Sequence, residues 1–496
     1  MADPAGSHSS EGMNPNLTLA KVLAIEDDPA ILEHRCASTG LLTWPLLRSQ
    51  FLRSLTSPLH YQGVQTIVPP PPRRYRRALS ALPKVLWANA TRWRRFHGDI
   101  LIMASGAGHF QRSSRSFNRI TDYFAMESIE RTVTIEGLMD WLVPLDRFNE
   151  RAYYFLPWQG RIDLLGKLRQ RRRHDEAAAE LVEFVRKRAR DLLGLSIADA
   201  QADYLKSMVA MKIARLPGLL GTYRALLERV RPKLVLLEQG CYSDLGVFNL
   251  VAREMRVRVA EPQHGLISSG HDAYSYAATL RNNADYRRYL PHDFLGYGSW
   301  WNEQINAPVA KWVIGHPHYI EQRELHAHAD AAKSTIVVLS DGFDFEKYLS
   351  LARELASRIG DKHRVVVRPH PLERERVWSQ FDGATSGGVV VDRARDIYPT
   401  LAAAFAVVGE ISTGLFEAIG LAERIYLWAT PKALYACPQH PFVEFRDVAE
   451  LAERVLAPAS EAAQRLDVES IWASDWRGNY RRYLEHALKA GAEDVA

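Results

Sequence analysis

Cysteines and long apolar runs are scarce in this chain of 496 residues. The three cysteines, Cys36, Cys241 and Cys437, are far apart and odd in number, so the sequence predicts neither a disulfide framework nor a cysteine metal site. This usage is typical of proteins kept in a reducing cytoplasm. No stretch approaches the roughly eighteen uninterrupted apolar residues that a membrane span requires. A net charge of +5 gives no reason to expect nucleic-acid binding.

Several catalytic signatures are also missing. The sequence contains no GxxxxGKS/T phosphate loop, no GxSxG elbow, no HExxH or CxxC pair and no GxGxxG dinucleotide fingerprint. ATPases, serine hydrolases, zinc enzymes and simple dehydrogenases are therefore disfavoured.

The bulk composition is that of a globular protein, with 47% apolar and 24% charged residues. A chain of this length exceeds what one hydrophobic core usually organises, so two domains are expected. Residues 1–16 are predicted to be a flexible tail. They lack the basic stretch followed by an apolar core that marks a signal peptide.

Residues 17–97 are predicted to be a basic and aromatic N-terminal extension. After a proline cluster at 69–72, the segment "RRYRRALSALPKVLWANATRWRRFHGD" carries eight Lys or Arg residues and no acid until Asp99. Four aromatic residues are interleaved with these cations: Tyr75, Trp87, Trp93 and Phe96. The segment is either a solvated helix face with core aromatics or a surface for anionic lipid or a charged glycan.

From residue 98 onward, short apolar runs alternate with helical patterns. The predicted strands of this first series are "DILIMAS" (99–105), "RTVTIEG" (131–137), "RAYYFLP" (151–157), "KLVLLEQG" (233–240) and "VRVAEP" (257–262). Helices are predicted at 175–230 and around 247–255, where apolar residues recur at spacings of three and four.

A second series begins near residue 334. Its predicted strands are "TIVVLS" (335–340), "RVVVR" (364–368), "GVVVD" (388–392), "AFAVVGE" (404–410) and "RIYLW" (424–428). Its clearest helix, 345–359, carries one apolar stripe and ends at Gly360. Alternation of strands and helices predicts a mostly parallel sheet in each series. The expected fold is α/β, with two Rossmann-like domains at 98–315 and 316–496 that face a central cleft, where ligands bind at the carboxyl ends of the strands.

The first candidate site, Gln263-His264-Gly265, directly follows the last strand of the first series. A histidine at this strand end is expected to project into the cleft, and Gly265 lets the backbone approach a ligand closely. His271 and Tyr274 make the following loop polar and aromatic. The alternative is a structural turn that contains a hydrogen-bonded histidine.

The second candidate site is Arg368-Pro369-His370-Pro371, directly after a buried strand. Because two prolines fix the backbone, a guanidinium and an imidazole are held in a rigid turn. Fixed cationic donors suit a phosphate or a carboxylate. The alternative is a turn with incidental charge.

The third candidate site is "GEISTG" (409–414), a strand end and tight turn before a helix capped by Ser412 or Thr413. The free backbone N–H groups near Gly414 and the positive helix end predict an anion site. Glu417 lies one turn beyond Thr413 on the same helix face, where its carboxylate can accept hydrogen bonds from ribose hydroxyls. The alternative is a well-capped helix with no ligand.

The fourth candidate site is Glu238, a carboxylate that closes an apolar strand, with Asp244 six residues later. Burial of a carboxylate is costly unless the group is paired or used. Either acid is therefore a candidate general base or nucleophile. A helix cap or a salt bridge is the alternative.

Taken in order, these segments resemble the two-domain GT-B glycosyltransferases, in particular bacterial enzymes that build capsule and lipopolysaccharide with CMP-activated ulosonic acids such as Kdo. The likeness covers about residues 98 to 430 and is carried by "DILIMASGAGHFQRSSRSFNRITDYF", "LVLLEQGCYSD", "EPQHGLISSGHDAYSY", "FLGYGSWWNE", "WVIGHPHY", "RPHP" and "GEISTGLFEAIGL". The short QHG and HP motifs also occur in related polysialyltransferases and CDP-alditol phosphotransferases, so their order and spacing carry the resemblance.

The resemblance implies a role for each matching residue. It assigns His370, Ser412 and Thr413 to the donor phosphate, Glu417 to the ribose and His264 to the reacting centre. It also implies that the second domain holds the nucleotide donor and the first domain holds the acceptor.

The chain departs from the family pattern at two places. Aspartate is common where this chain has Glu238, which leaves Asp244 as the competing catalytic acid. The pair Ser412-Thr413 replaces a commoner pair of serines, although threonine keeps the hydroxyl.

The expected activity is transfer of a sugar, an ulosonic acid such as Kdo, from a CMP donor to a bacterial surface-glycan acceptor. Neither a cofactor nor nucleic acid is expected. No metal is expected either, because the helix end and His370 replace a divalent cation at the leaving phosphate. Arg368 is expected to pair with the donor carboxylate or phosphate. The expected location is the cytoplasm or the inner face of the membrane, with peripheral contacts to lipid or to glycan-assembly proteins.

Two alternatives stay open at the level of the sequence. One is a GT-B transferase that uses a UDP- or GDP-sugar or a CDP-alditol. The other is a non-catalytic scaffold within a glycan-assembly complex.

Overall fold

The computed structural model describes residues 17–60, 74–92, 96–138, 143–144, 146–242, 245–326, 333–381, 388–458 and 466–489. Their strands form a seven-stranded sheet, a six-stranded sheet and a two-stranded hairpin. The first sheet and the hairpin contain β1 (Ile100–Ala104), β2 (His109–Arg112), β3 (Arg115–Asn118), β4 (Thr132–Glu136), β5 (Ala152–Tyr154), β6 (Leu234–Leu237), β7 (Arg258–Pro262), β8 (Asp293–Gly296) and β9 (Ala310–Val313). The second sheet contains β10 (Thr335–Leu339), β11 (Arg364–Arg368), β12 (Val389–Val391), β13 (Ala404–Gly409), β14 (Arg424–Trp428) and β15 (Val443–Phe445).

Helices connect most of the strands. Those up to the end of β7 are α1 (Leu19–Val22), α2 (Trp44–His60), α3 (Arg74–Arg92), α4 (Asp122–Glu127), α5 (Leu156–Arg169), α6 (Arg172–Leu193), α7 (Asp199–Val230) and α8 (Gly246–Glu254). The later helices are α9 (Ala278–Asn282), α10 (Ala284–Arg287), α11 (Ser299–Glu303), α12 (Pro317–His326), α13 (Phe345–Ile359), α14 (Arg374–Gln380), α15 (Tyr398–Ala402), α16 (Thr413–Glu417), α17 (Pro431–Ala436), α18 (Val448–Leu456), α19 (Val468–Ile471) and α20 (Trp476–Lys489).

Both large sheets are doubly wound. The strand order is β5-β4-β1-β6-β7-β8-β9 in the first sheet and β12-β11-β10-β13-β14-β15 in the second. In each sheet the chain adds strands on one side of a central strand and then on the other side. The central strands are β1, which pairs in parallel with β4 and β6, and β10, which pairs in parallel with β11 and β13. The order reverses between β1 and β6 and between β10 and β13, and such switch points are where open α/β sheets bind ligands. The predicted α/β fold with two Rossmann-like units is confirmed.

The central strands are short and almost continuously apolar because helices cover both faces of each sheet. All four residues of β6 are buried, and so are four of the five residues of β10. Helix α13 shows the matching helical pattern. Its apolar side packs on the second sheet, Asp344 caps its first turn through the backbone N–H of Lys347, and Gly360 follows its last residue.

All ten predicted strands are present, and each begins within one residue of the expected position. Strands β8, β9 and β15 and the β2–β3 hairpin were not predicted. These elements are short and carry charged or exposed residues, so their pattern is not that of a buried strand. In β8, for example, Asp293 is fully buried only because Arg258 pairs with it at 2.6 Å.

One hydrophobic cluster runs through both domains. It combines Leu236 of β6 with Val337 of β10 and Trp472 after α19. The C-terminal helix α20 also returns to the first sheet, where the Tyr483 hydroxyl donates a hydrogen bond to Asp293 at 2.9 Å. Residues 17–60 pack into the core of the first domain, largely against α6 and α7. The exact domain bounds stay a prediction.

Candidate functional site

Loops at the carboxyl ends of the two sheets pack against each other. The loop that follows β7 touches α17, which follows β14 of the other sheet. The Ser268 hydroxyl donates to the carbonyl oxygen of Ala436, and a Cβ at Gly270 would overlap the carbonyl oxygen of Tyr435. The first and third candidate sites therefore lie on opposite sides of a closely packed domain boundary.

His264 lies at the end of β7 with 13% of its side chain exposed. Its Nδ1 is 3.7 Å from Oε1 of Glu261 and forms no hydrogen bond with the described residues. Burial, reinforced by the nearby His271, lowers the pKa of His264 to about 4. The imidazole is therefore neutral near pH 7.

Glu261 is a buried carboxylate that the sequence analysis missed. Burial raises the pKa of Glu261 to about 7, although the backbone N–H of Cys241 donates to it at 2.6 Å and the Tyr274 hydroxyl donates to its other oxygen. The signal in the sequence was a glutamate inside the apolar run of β7, three residues before His264. A carboxylate in that position requires partners.

Of the residues around His264, Gln263 and Tyr274 are buried, whereas the backbone of Gly265 borders open space. Gln263 is buried and its side-chain amide joins the backbone of Gly265 to that of Tyr297, at 3.0 and 2.8 Å. A Cβ at Gly265 would meet no atom within 4 Å, so this backbone borders open space. Tyr274 is fully buried beneath the loop, and its hydroxyl faces Glu261.

Hydrogen bonds at both ring nitrogens fix the orientation of His271. Its Nδ1 accepts the backbone N–H of Ala273 at 3.2 Å, so Nε2 carries the proton and donates to the Tyr242 hydroxyl at 3.0 Å. Burial lowers the pKa of His271 to about 4. Two neutral imidazoles therefore flank the Tyr242 ring, since His264 lies 5.8 Å from it between centroids.

Glu238 lies at the switch point of the first sheet, and its side chain is hydrogen-bonded to the loop that follows β1. Its two carboxylate oxygens accept the backbone N–H and the hydroxyl of Ser105 at 2.8 and 2.6 Å. Burial raises the pKa of Glu238. Asp244, its competitor as catalytic acid, lies outside the described residues. The catalytic role of either acid stays a prediction.

His370 lies at the end of β11 beside the switch point of the second sheet. Its Nδ1 accepts the backbone N–H of Leu372 at 3.2 Å, which leaves the proton on Nε2. Gly342, in the loop after β10, approaches the imidazole so closely that a Cβ would lie 2.7 Å from Nδ1, and its φ of +88° also favours glycine. Burial lowers the pKa of His370, so this imidazole is also neutral near pH 7.

Arg368 is already paired within the domain. Its guanidinium contacts the carboxylate of Asp392 and donates to the carbonyl oxygen of Arg395 at 3.2 Å. Both paired side chains are at least 90% buried. A contact of Arg368 with a donor carboxylate or phosphate requires room beside this pair and stays a prediction.

The third candidate site is built as a helix start. Ser412 is the N-cap of α16, and its hydroxyl accepts the backbone N–H of Gly414 at 3.0 Å. Thr413 begins the helix, and its side chain is half-buried. Glu417 is buried at the end of α16 and accepts a hydrogen bond from the Tyr398 hydroxyl at 2.9 Å. A ribose hydroxyl at Glu417 would therefore share the carboxylate with Tyr398.

Arg119 brings a positive charge from the first domain towards Glu417. Burial acts to lower the pKa of Arg119, but the carboxylate of Glu417 and the hydroxyl of Tyr398 outweigh it, and the pKa is raised. Arg119 itself is exposed.

His316 and His318 were also missed as candidate site residues. They follow β9 in the segment "GHPHY", so the rule that selected His264 and His370 applies to them equally. The His316 and Tyr297 rings are tilted to each other with centroids 4.3 Å apart, and Nδ1 of His318 is 3.1 Å from the Tyr123 hydroxyl. Burial, with Arg119 nearby, lowers the pKa of His318 to about 3.

A charge network supports the second-sheet side of the cleft. Lys432 of α17 contacts Asp341, which follows β10, and Glu410, which follows β13, the latter at 2.7 Å. Glu410 also pairs with Lys347 at 3.1 Å and accepts the Tyr348 hydroxyl at 2.6 Å. This network fixes the ends of both switch-point strands. Within the described ranges, no group of three or more His, Cys, Asp or Glu residues has the arrangement of a metal site.

No protein-family model and no curated protein sequence matches this chain. Three solved structures are similar to it along most of their length. A putative UDP-N-acetylglucosamine 2-epimerase from Listeria monocytogenes has 10% identity and a TM-score of 0.44, covering 80% of this chain and 97% of its own. The UDP-GlcNAc 2-epimerase from Neisseria meningitidis bound to UDP-GlcNAc has 11% identity and a TM-score of 0.40, covering 79% and 99%. The wall teichoic acid polymerase TagF has 11% identity and a TM-score of 0.42, covering 85% and 98%. Each is a likeness in architecture only.

Proposed function

We propose that the protein is a glycosyltransferase that moves an ulosonic acid such as Kdo from a CMP donor to a bacterial surface-glycan acceptor. The observation that supports this most is the placement of His264 and His370. They lie at strand ends of different sheets, and burial lowers the pKa of both imidazoles, so both are neutral near pH 7. A neutral imidazole can accept a proton at one nitrogen and donate a hydrogen bond from the other.

The proposed transfer breaks the bond between the anomeric carbon and the phosphate oxygen of the donor. An acceptor hydroxyl oxygen forms the new bond to that carbon, and its proton passes to the imidazole of His264. CMP leaves with the electron pair, and its negative charge is stabilised by Nε2–H of His370 and the positive end of α16. Arg119 is a further cation for this charge. The scheme uses no divalent cation.

Glu238 and Asp244 belong to the retaining version of this proposal. In that version a carboxylate attacks the anomeric carbon and releases CMP, and the acceptor hydroxyl then displaces the carboxylate. Because both oxygens of Glu238 are engaged by Ser105, Glu238 serves this role only if that contact opens. The inverting route with His264 as base needs no such rearrangement.

A nucleotide screen tests the donor assignment. We expect CMP to raise the melting temperature more than UDP, GDP or CDP, since only a ligand that binds the folded state stabilises it. Stabilisation by UDP or GDP would favour another GT-B donor class, and a preference for CDP would favour an alditol-phosphate donor. Absence of any nucleotide effect in a folded protein would favour a non-catalytic scaffold in a glycan-assembly complex.

Histidine variants test the chemistry. We expect His264→Ala and His370→Ala each to abolish transfer from CMP-Kdo while the melting temperature stays within a few degrees of the wild type. His363→Ala is the matched control, because His363 stacks on Phe405 before β11 and lies away from the strand ends. Wild-type turnover in either cleft variant would contradict the assignment.

A cytoplasmic site of action, at the inner face of the membrane, is part of the proposal because surface glycans are assembled on anchored acceptors. None of the helices in the described ranges is long and apolar enough to cross a bilayer. Contact with glycan-assembly proteins is a separate part of the proposal that binding experiments can address.

A further inference from the structure

Helix α3 has two different apolar sides. One side packs on the first sheet, where Val85 is fully buried against Tyr154 of β5. The other side exposes Leu79, Leu86 and Trp87, which retain 68%, 50% and 66% of their accessible surface. Spacings of seven and eight residues place these three side chains on one face of the helix. Three large apolar side chains exposed together mark an interaction surface.

Helix α3 is cationic in composition. The helix contains five Lys or Arg residues and no Asp or Glu. Arg77 and Lys84 are exposed beside the apolar residues. A helix with exposed leucine and tryptophan on one side and only positive charges around them has the composition of a segment that lies in a membrane interface.

Helix α5 extends this surface, because it packs directly on α3. Leu164 and Leu168, one turn apart, are 60% and 63% exposed. Three cations lie on α5, and its single acid, Asp163, is paired with Arg215 of α7 at 3.2 Å. Three exposed arginines, 171–173, follow the helix. The α3–α5 face, defined as the exposed sides of these two helices, therefore carries a local excess of positive charge.

A groove beside the α3–α5 face repeats the same chemistry. It lies between α5 and α7 and has a volume of about 470 Å³. Trp158 and Leu165 form part of its wall, and three arginines line it: Arg161, Arg169 and Arg229. Apolar walls with arginines suit an anionic amphiphile better than a fully polar ligand.

We propose that the α3–α5 face binds the surface of an anionic membrane. Leu86 and Trp87 enter the interfacial layer, and the surrounding lysines and arginines meet lipid phosphates. Charge complementarity selects this occupant, since a second copy of the same cationic face would repel the first. An acidic glycan would match the charges but leave the exposed Leu and Trp side chains in water.

Vesicle flotation with the full-length protein tests the proposal. We expect binding to phosphatidylcholine vesicles that contain phosphatidylglycerol, weak binding to phosphatidylcholine alone, and release as the salt concentration rises. The double variant Leu86→Gln, Trp87→Gln should bind at least about tenfold more weakly. The charge reversals Arg77→Glu and Lys84→Glu should together weaken binding at least about 25-fold, because each cation near the surface strengthens it about fivefold.

Matched controls lie on other surfaces. Leu192→Gln removes a 48% exposed leucine of α6, and Lys362→Glu reverses an exposed cation between α13 and β11. Both should float like the wild type, and all variants should keep the wild-type melting temperature. The proposal is overturned if the wild type ignores anionic lipid, or if the α3 variants bind as well as the controls. It is also overturned if the α3 changes only abolish self-association, or only abolish binding to a soluble anionic polysaccharide. None of these readouts depends on glycosyl transfer.

Discussion

The pH dependence of stability provides a direct test of the buried, neutral state of His264. The unfolded chain protonates this imidazole at its ordinary pKa of 6.5, but the folded protein does so only near pH 4. Unfolding therefore takes up a proton between these values, so acidification favours the unfolded state. A pKa difference of one unit corresponds to about 1.4 kcal/mol. Protonation therefore lowers the free energy of unfolding by about 3 kcal/mol in full, below pH 4, and about 2 kcal/mol of this loss develops between pH 7 and pH 5.

We expect His264→Gln to remove this contribution. Urea unfolding at pH 7 and pH 5, followed by tryptophan fluorescence and circular dichroism together, should show that the wild type loses about 2 kcal/mol more than the variant. Glu261 acts with the opposite sign, because its folded-state pKa of about 7 lies above the ordinary value of 4.5. That contribution is common to both proteins and cancels in the difference. Equal losses in the two proteins would refute the depressed pKa and, with it, the role of His264 as a neutral base.

Two further changes test the contacts that hold the cleft together. Gly270→Ala should force the β7 loop away from the carbonyl oxygen of Tyr435, at a cost of about 1–3 kcal/mol and with a larger radius of gyration in X-ray scattering. Gly265→Ala is its control, and an equal loss in both would contradict the steric reasoning. Lys432→Met should lower the free energy of unfolding by about 3–5 kcal/mol, because it leaves two buried carboxylates without their shared cation. A change below 1 kcal/mol in urea unfolding would show that this network contributes little.

The fold could be predicted because its central strands carry a strong local signal. Runs such as "TIVVLS" and "RVVVR" are buried on both faces, so they stand out as continuous apolar segments and their ends can be placed closely. Elements whose burial depends on a distant partner gave no such signal. Asp293 gives β8 a polar pattern in the sequence. In the folded protein Arg258 forms an ion pair with Asp293, and the Tyr483 hydroxyl donates a hydrogen bond to it.

The residues of the candidate site could be predicted where they follow a recognisable apolar strand. Polar residues directly after apolar strands identified His264, His370 and Ser412, since parallel strands deliver such residues to one edge of a sheet. The same rule passed over His316, because the polar and exposed strand before it was not recognised. Arg119 could not be selected from the sequence, since its importance comes from Glu417, nearly 300 positions away in the chain.

The sequence by itself determined the two parallel sheets, the polar residues at their strand ends and the cationic character of α3. These properties follow from short-range patterns of apolar and charged side chains. Only the tertiary structure decided which of those groups are neutral, which are already paired and which face the cleft. Protonation and pairing depend on burial and on neighbours brought together by the fold, as Ser105 is to Glu238 and Asp392 to Arg368.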